Sequence, residues 1–485
     1  MTKFFQRITH TQAYDSLLED SRNKKFIAAF GVQPTEKPFI AANADGFSLY
    51  VTSDYVEAQR VLRTISALRQ EVVYLPSKED VLLYKRENSK NSVYMRNYAL
   101  YRMLTGATAA VVTAEALMQY LPEKHKFLSD CFTLQKGNGY DRSTLLKSLV
   151  ECGYTRVDGI SAEGEFVLRG DILDISMPFG KRYRADFFDD VLEEIKGAEG
   201  DKIEIYPLYE TTGLAAEKLS EVQKLADRQR VSPDAHARLS EIISELSLCA
   251  HRADNAWLIP FVPTSVIFQY LPQNTTVFWD EPKLLWERTE FMYREHAQRV
   301  ANLTQAGEIL PLHFTALAPK ESIFNGDFPQ IALQTLPYEA AFFHPQAIHN
   351  FRTTAVGSYY GGEDRLAQDI RNWKRLDYDV VVLAGEDGAK PVAEKLRQYY
   401  VFLAEGEMLL PGMADGLVLS VGVEKGFVSH SNRLAVVGTR DLGRGLSRQT
   451  LSKGKKQAFL SVQKGDYVVH DIHGIGLCEG IKKIT

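Results

Sequence analysis

The chain has 485 residues, 45% of them hydrophobic, and its 57 Lys and Arg against 62 Asp and Glu leave a formal net charge of −5. That much apolar material fills several cores and excludes wholesale disorder, while the near-neutral balance singles out no polyanionic or membrane partner. No segment reaches the ~18 uninterrupted apolar residues of a membrane span, and Met1 to Asp20 lacks the apolar stretch of a secretory signal, so a cytoplasmic protein is expected.

In chain order, Lys24 to Ala29 and Phe39 to Ala41 read as strands, Tyr55 to Leu68 as an amphipathic helix and Glu71 to Leu75 as a strand. A helix from Val93 to Leu104, the apolar run Ala109 to Thr113 and a helix from Ala114 to Leu121 continue this alternation, which predicts a parallel sheet covered by helices over 1–127. The pattern then changes. A helix from Arg142 to Cys152 is followed by short strands separated by Gly164, Gly170 and Pro178-Phe179-Gly180, an α+β unit over 128–200. Helices at Ala215 to Arg228 and Pro233 to Cys249, a strand at Thr276 to Trp279 and a helix from Lys283 to Asn302 resume the first domain over 201–345.

A second α/β domain over 346–440 has a strand to Val356, a helix from Glu363 to Leu376, the apolar run Tyr378 to Leu383, a second helix, and strands near Leu417 and Leu434. Next comes a glycine-rich basic linker, 441–462, and then an alternating strand, Gly465 to His470, with a turn at His473 to Gly476. Cys131, Cys152, Cys249 and Cys478 are too scattered for a disulfide framework or a zinc site.

The catalytic patterns that would suit parallel-sheet domains are missing. The chain lacks G-x-x-x-x-G-K-[ST], G-x-G-x-x-G, H-E-x-x-H and G-x-S-x-G. Where a phosphate loop belongs, after the first strand, the chain reads Phe30-Gly31-Val32-Gln33-Pro34-Thr35-Glu36-Lys37. Pro34 lacks the N–H a phosphate cradle uses and Glu36 adds a repelling charge, so ATP binding there is not expected. Asp280-Glu281 looks like the acid pair that serves Mg²⁺ in NTPases, but a strand end followed by a helix start accounts for it better.

One stretch suggests a recognition surface. Period-two alternation from Lys181 to Phe188 puts Arg182, Arg184 and Asp186 on one face and Tyr183, Ala185 and Phe187 on the other. With Arg156 and Arg169 on neighbouring strands, three or four guanidiniums could share an exposed face suited to an acidic partner; Asp174 and Asp186 could equally pair with them across strands. Phe187 is expected in the core and Phe188 outside.

Gly153-Tyr154-Thr155-Arg156-Val157, Gly164 to Ile175 and Arg184-Ala185-Asp186-Phe187-Phe188-Asp189-Asp190 resemble the UvrA-binding domain shared by UvrB and the transcription-repair coupling factor Mfd. Val111 to Leu117, Tyr270-Leu271-Pro272 and Phe278 to Pro282 resemble the flanking UvrB-like domain, and Gly465 to Gly480 resembles the opening of Mfd's RNA polymerase interaction domain. The resemblance covers nearly the whole chain in family order. The degenerate Gly31 region favours Mfd over UvrB, although a UvrB-type DNA-binding ATPase is the alternative. Two family features are absent: Ser176 stands where an aromatic is common, and no Arg-Ser pair follows Asp190.

By this resemblance the fold is multidomain α/β: a degenerate helicase-like parallel-sheet domain, an inserted UvrA-binding domain, a second α/β domain and the start of a small β-barrel. The resemblance implies UvrA as partner, with Arg156, Arg169, Arg182, Arg184 and Phe188 as the contacts proposed here. The polymerase β subunit is expected to meet Tyr467, Val469, His470, Ile475 and Ile484 weakly, by strand addition. Family members continue into a motor that these 485 residues do not contain, so no ATP, Mg²⁺ or catalytic residue is expected here, and DNA would be engaged through that motor. Direct DNA binding through Arg440 to Lys456 ranks low.

Overall fold

The computed structural model describes residues 11–82, 90–198, 200–211, 216–248, 255–324, 326–405, 414–443, 467–470 and 474–477. Ile484, most of the basic linker, Cys249 and Cys478 lie outside them.

The first unit contains helix α1 (Gln12–Asn23), strand β1 (Phe26–Phe30), α2 (Lys37–Ala42), β2 (Phe47–Thr52), α3 (Tyr55–Leu68), β3 (Val72–Leu75), α4 (Lys90–Thr105) and β4 (Ala109–Thr113). After an insertion it resumes with β12 (Thr275–Asp280), α8 (Pro282–Gln305), β13 (Gln330–Gln334) and β14 (Ala347–Asn350). Its strands form one parallel sheet of seven in the order β14-β1-β13-β12-β2-β4-β3. Strands β2, β4 and β13 are buried along their whole length, as interior parallel strands covered on both faces must be. Helix α3 starts where Asp54 accepts a hydrogen bond from the Glu57 N–H at 3.0 Å.

One expected strand is corrected. Phe39 to Ala41 lies inside helix α2, and the second strand is Phe47–Thr52. All three residues are buried, so a short apolar run carries no period that separates strand from helix, and Pro38 suits a helix's first turn. The sheet also takes β13 and β14, the latter beyond residue 345.

The insertion comprises β5 (Phe132–Gln135), α5 (Arg142–Glu151), β6 (Thr155–Arg156), β7 (Glu165–Arg169), β8 (Ile172–Ser176), β9 (Arg182–Phe188), β10 (Val191–Lys196) and β11 (Lys202–Ile205). Strands β10-β9-β8-β7-β6 form a five-stranded sheet, antiparallel except for the last pair, while β5 and β11 pair separately. Its core is continuous with one face of the seven-stranded sheet: Phe166, Ile175 and Phe187 share a cluster with Leu49, Val112 and Trp279. Tyr101 of α4 stacks on Tyr206 with ring centroids 5.0 Å apart, and Tyr98 meets Phe179 edge-on at 5.5 Å. Helices α6 (Ala216–Asp227) and α7 (Pro233–Leu248) form a separate cluster with Trp257 and Phe261.

The last α/β unit has β15 (Thr353–Ala355), α9 (Glu363–Arg375), β16 (Asp379–Leu383), α10 (Ala389–Arg397), β17 (Leu403–Glu405), β18 (Gly416–Leu419), β19 (Phe427–Ser429) and β20 (Leu434–Val437), with sheet order β15-β19-β20-β16-β18-β17. Alternation along its strands serves two cores. Val380, Val382, Ala435 and Val437 pack on α9 and α10, while Val381, Leu383, Leu434 and Val436 join Phe39, Ile40 and Ile65 of the first unit. Strands β21 (Tyr467–His470) and β22 (Gly474–Leu477) pair antiparallel, with Val469 opposite Ile475. They form a two-stranded ribbon, and the described residues contain no closed barrel.

Candidate partner-binding site

The five-stranded sheet of the insertion has one buried face and one exposed face. Phe166, Leu173, Ile175, Ala185, Phe187 and Leu192 alternate into the core. Arg169, Asp174, Arg182, Arg184, Asp186 and Phe188 alternate the other way. The tips of the sheet are tied down by Arg142, the first residue of α5: its guanidinium pairs with Asp171 at 2.6 Å, donates to the Gly170 carbonyl at 3.2 Å and to that of Asp189, and lies over the Phe187 ring. The capping carboxylate just before it, Asp141, accepts from Thr144 N and two hydroxyls, which hold its pKa down at about 2. Gly170 at φ +60° and Asp189 at φ +55° make the tight turns.

Arg184 forms a two-pronged pair with Asp174 on β8, Nε to Oδ1 at 2.7 Å and Nη2 to Oδ2 at 3.0 Å. Asp186 pairs with Lys196 at 3.3 Å and with none of the arginines. Arg169 donates to the Asp158 carbonyl at 2.6 Å, which lays its side chain toward the loop after β6. The Arg182 side chain makes no hydrogen bond or ion pair among the described residues. Arg156 differs from the others. It is exposed, but its parallel register partner is Phe166, which puts it on the buried-face side at the sheet's edge. Arg169, Arg182 and Arg184 therefore share a face and Arg156 stands apart from it. Ser176 is buried, opposite Glu165 and Arg182.

Phe187 and Phe188 separate as alternation requires, at 7% and 71% exposed. Two residues that sequence reasoning passed over join Phe188. Val191 is its direct partner across the β9–β10 hairpin, and Ile172 faces Asp186 on β8; both are exposed. The result is an apolar strip of Ile172, Phe188 and Val191 beside the Arg184–Asp174 pair. The sequence alternation was read only over Lys181 to Phe188, and it is the register of β8 and β10 that places these two residues beside Phe188. Of the positions expected to meet polymerase, Tyr467, Val469, His470 and Ile475 lie on the β21–β22 ribbon.

At the carboxyl ends of β1 and β12 the degenerate phosphate loop and the acid pair meet. Gly31, at φ +76°, is so close to the Phe351 carbonyl that an added Cβ would lie 2.1 Å from its oxygen. Glu36 is buried; it accepts from the Tyr14 hydroxyl at 2.6 Å and from Thr353, and burial pushes its pKa up. Asp280 is buried as well, and burial raises its pKa against the lowering by Lys37. The acid pair sits, as expected, where β12 ends and α8 begins, but it also has a partner, Lys37, that sequence spacing did not reveal. Among the described residues no group of three His, Cys, Asp or Glu is arranged to hold a metal, and no helix is long and apolar enough to cross a membrane.

A family model described as the UvrB interaction domain matches residues 132–203, the stretch that builds this sheet. The chain is 25% identical over 473 residues to the transcription-repair-coupling factor of Bacillus subtilis, an alignment covering 90% of this chain and 40% of that protein. It is 23% identical over 407 residues to the transcription-repair-coupling factor of Staphylococcus haemolyticus, covering 77% of this chain and 34% of the relative. The chain thus spans about two-fifths or less of the length of these relatives. Motif order, inserted sheet and alignments agree: over most of its length the chain is similar to part of the transcription-repair-coupling factors, with a UvrB interaction domain matched within it.

Proposed function

We propose that this chain is a recruitment module that links stalled RNA polymerase to nucleotide excision repair by binding UvrA. The observation that carries the reading is a coincidence: the stretch matched as a UvrB interaction domain folds into a sheet whose outer face displays arginines and an apolar strip. Arg169, Arg182 and Arg184 supply planar donors for carboxylates, and Phe188, with Ile172 and Val191, supplies the apolar anchor. Arg156 contributes from the sheet's edge. The test is capture of UvrA by this chain, with alanine at Arg169 and Arg184 expected to weaken it and unchanged capture refuting the assignment.

The β21–β22 ribbon is the proposed contact for the polymerase β subunit, by strand addition. An isolated two-stranded ribbon is marginal in water, so this contact is expected to be weak by itself. The chain's part in repair requires no nucleotide of its own; ATP-driven movement on DNA is assigned to the part of the relatives that this chain does not align with. A UvrB-type ATPase is disfavoured by the loop: Pro34 and buried Glu36 stand where phosphate oxygens need N–H donors.

A further inference from the structure

Lys37 is 1% exposed, and its Nζ lies 2.6 Å from Asp280 Oδ1 and 2.7 Å from Glu281 Oε1. The other donors to these carboxylates are neutral: the Tyr50 hydroxyl reaches Asp280 Oδ2 at 3.1 Å, and the Thr335 N–H reaches Glu281 Oε1 at 2.8 Å. Glu281 is a non-glycine residue in the left-handed region, φ +53°, at the junction of β12 and α8. A neighbouring pair of carboxylates at the end of a central parallel strand is suited to a hydrated divalent cation. Here the centre of that arrangement holds an ammonium supplied by the chain itself, from the loop that would otherwise cradle phosphate.

We infer that Lys37 is a built-in counter-cation: it takes the place of a metal between Asp280 and Glu281, closes this end of the sheet to a metal–nucleotide complex and pins α2 to the β12–α8 junction. The residues present do not fit Mg²⁺ with a nucleotide, because one cation already satisfies both acids and the loop offers Glu36 where the phosphates would lie. The inference rests on these distances and is independent of whether the chain binds UvrA.

Lys37→Ala strands two carboxylates, one of them buried, which lowers the melting temperature by roughly 5–15 °C. Millimolar MnCl2 then recovers much of that loss, since a cation that binds only the folded state stabilises it by mass action. The wild-type chain, with its site already filled, moves by less than about 1 °C in the same MnCl2. A neutralised variant, Lys37→Met with Asp280→Asn and Glu281→Gln, melts near wild type and ignores MnCl2, because replacing a whole buried ion group costs far less than breaking it. Differential scanning fluorimetry on the full chain reads all three proteins. A wild-type chain stabilised by MnCl2, or a Lys37→Ala protein that melts like wild type or ignores the metal, overturns the inference. If Lys37→Ala does not fold, the neutralised variant decides: folding without metal upholds it and failure to fold refutes it.

Discussion

Phe187 and Phe188 are consecutive residues with opposite environments, so alanine at each should break a different property. Phe188 is 71% exposed and lies opposite Val191 across the hairpin, so the free protein loses almost nothing on truncation. If UvrA covers it, most of a phenylalanine's transfer free energy of about 1.5–3 kcal/mol is gained only in the complex; scaled to the exposed share, that is about 1–2 kcal/mol. A tenfold change in Kd corresponds to about 1.4 kcal/mol, so Phe188→Ala should weaken UvrA binding roughly 5- to 30-fold with no change in melting temperature. Phe187 is 7% exposed, packed edge-on against Tyr140 and beneath Arg142. Its truncation leaves a cavity and should cost about 3–5 kcal/mol of folding stability. Calorimetric titration with UvrA alongside thermal melts separates the two. A Phe188→Ala protein that binds like wild type would refute the apolar-anchor reasoning, and a Phe187→Ala protein as stable as wild type would refute the assignment of the buried face.

Other outcomes follow from the same geometry. Arg184→Ala should weaken UvrA binding and lessen its dependence on salt while leaving the melting temperature essentially unchanged, because the exposed Arg184–Asp174 pair is worth little to the fold; a loss of melting temperature would show that the pair is structural. ATP with Mg²⁺ should leave the melting curve flat, whereas a nucleotide at 100 times its Kd would add about 2.7 kcal/mol, so a clear upward shift would revive the ATPase reading. His313 is buried beside Trp257, with its Nε2 3.0 Å from the Trp257 carbonyl, and burial lowers its pKa from 6.5 to about 4. Below pH 6.5 the unfolded chain takes up a proton that the folded chain refuses, so this stabilisation is complete above pH 6.5 and is lost as pH falls toward about 4. The loss amounts to about 3 kcal/mol. Urea melts from pH 7 to pH 4 should show that slope and a His313→Gln variant should flatten it; equal slopes would exclude His313 as the cause.

The elements with a clear period were legible from sequence. Tyr55–Leu68 forms a helix with the predicted limits, and Ala109–Thr113 is the buried strand its unbroken apolar run implies. Short apolar stretches were not: Phe39 to Ala41 is buried on every side, with Phe39 edge-on to Phe427, so its apolar run shows no period and only Pro38 marks the helix. The outward face of β9 could be read from alternation, yet Ile172 and Val191 could not be joined to Phe188 without the register of β8 and β10. Register also separates Arg156 from the other arginines, a distinction that two strand residues beside a parallel neighbour cannot convey in sequence. Lys37 was hidden for a similar reason. It stands 243 positions from Asp280, and only the parallel sheet order, with β1 and β12 on either side of β13, brings the segment after β1 and the end of β12 together.

Hydrogen exchange on the chain with and without UvrA tests the central claim most directly, since it maps the contact without altering a residue. Slowed exchange is predicted over 169–174 and 184–192, the turns and hairpin that carry Arg169, Ile172, Arg184, Phe188 and Val191, with the seven-stranded sheet unchanged. Protection confined to any other part of the chain, with none in these two stretches, would contradict the account.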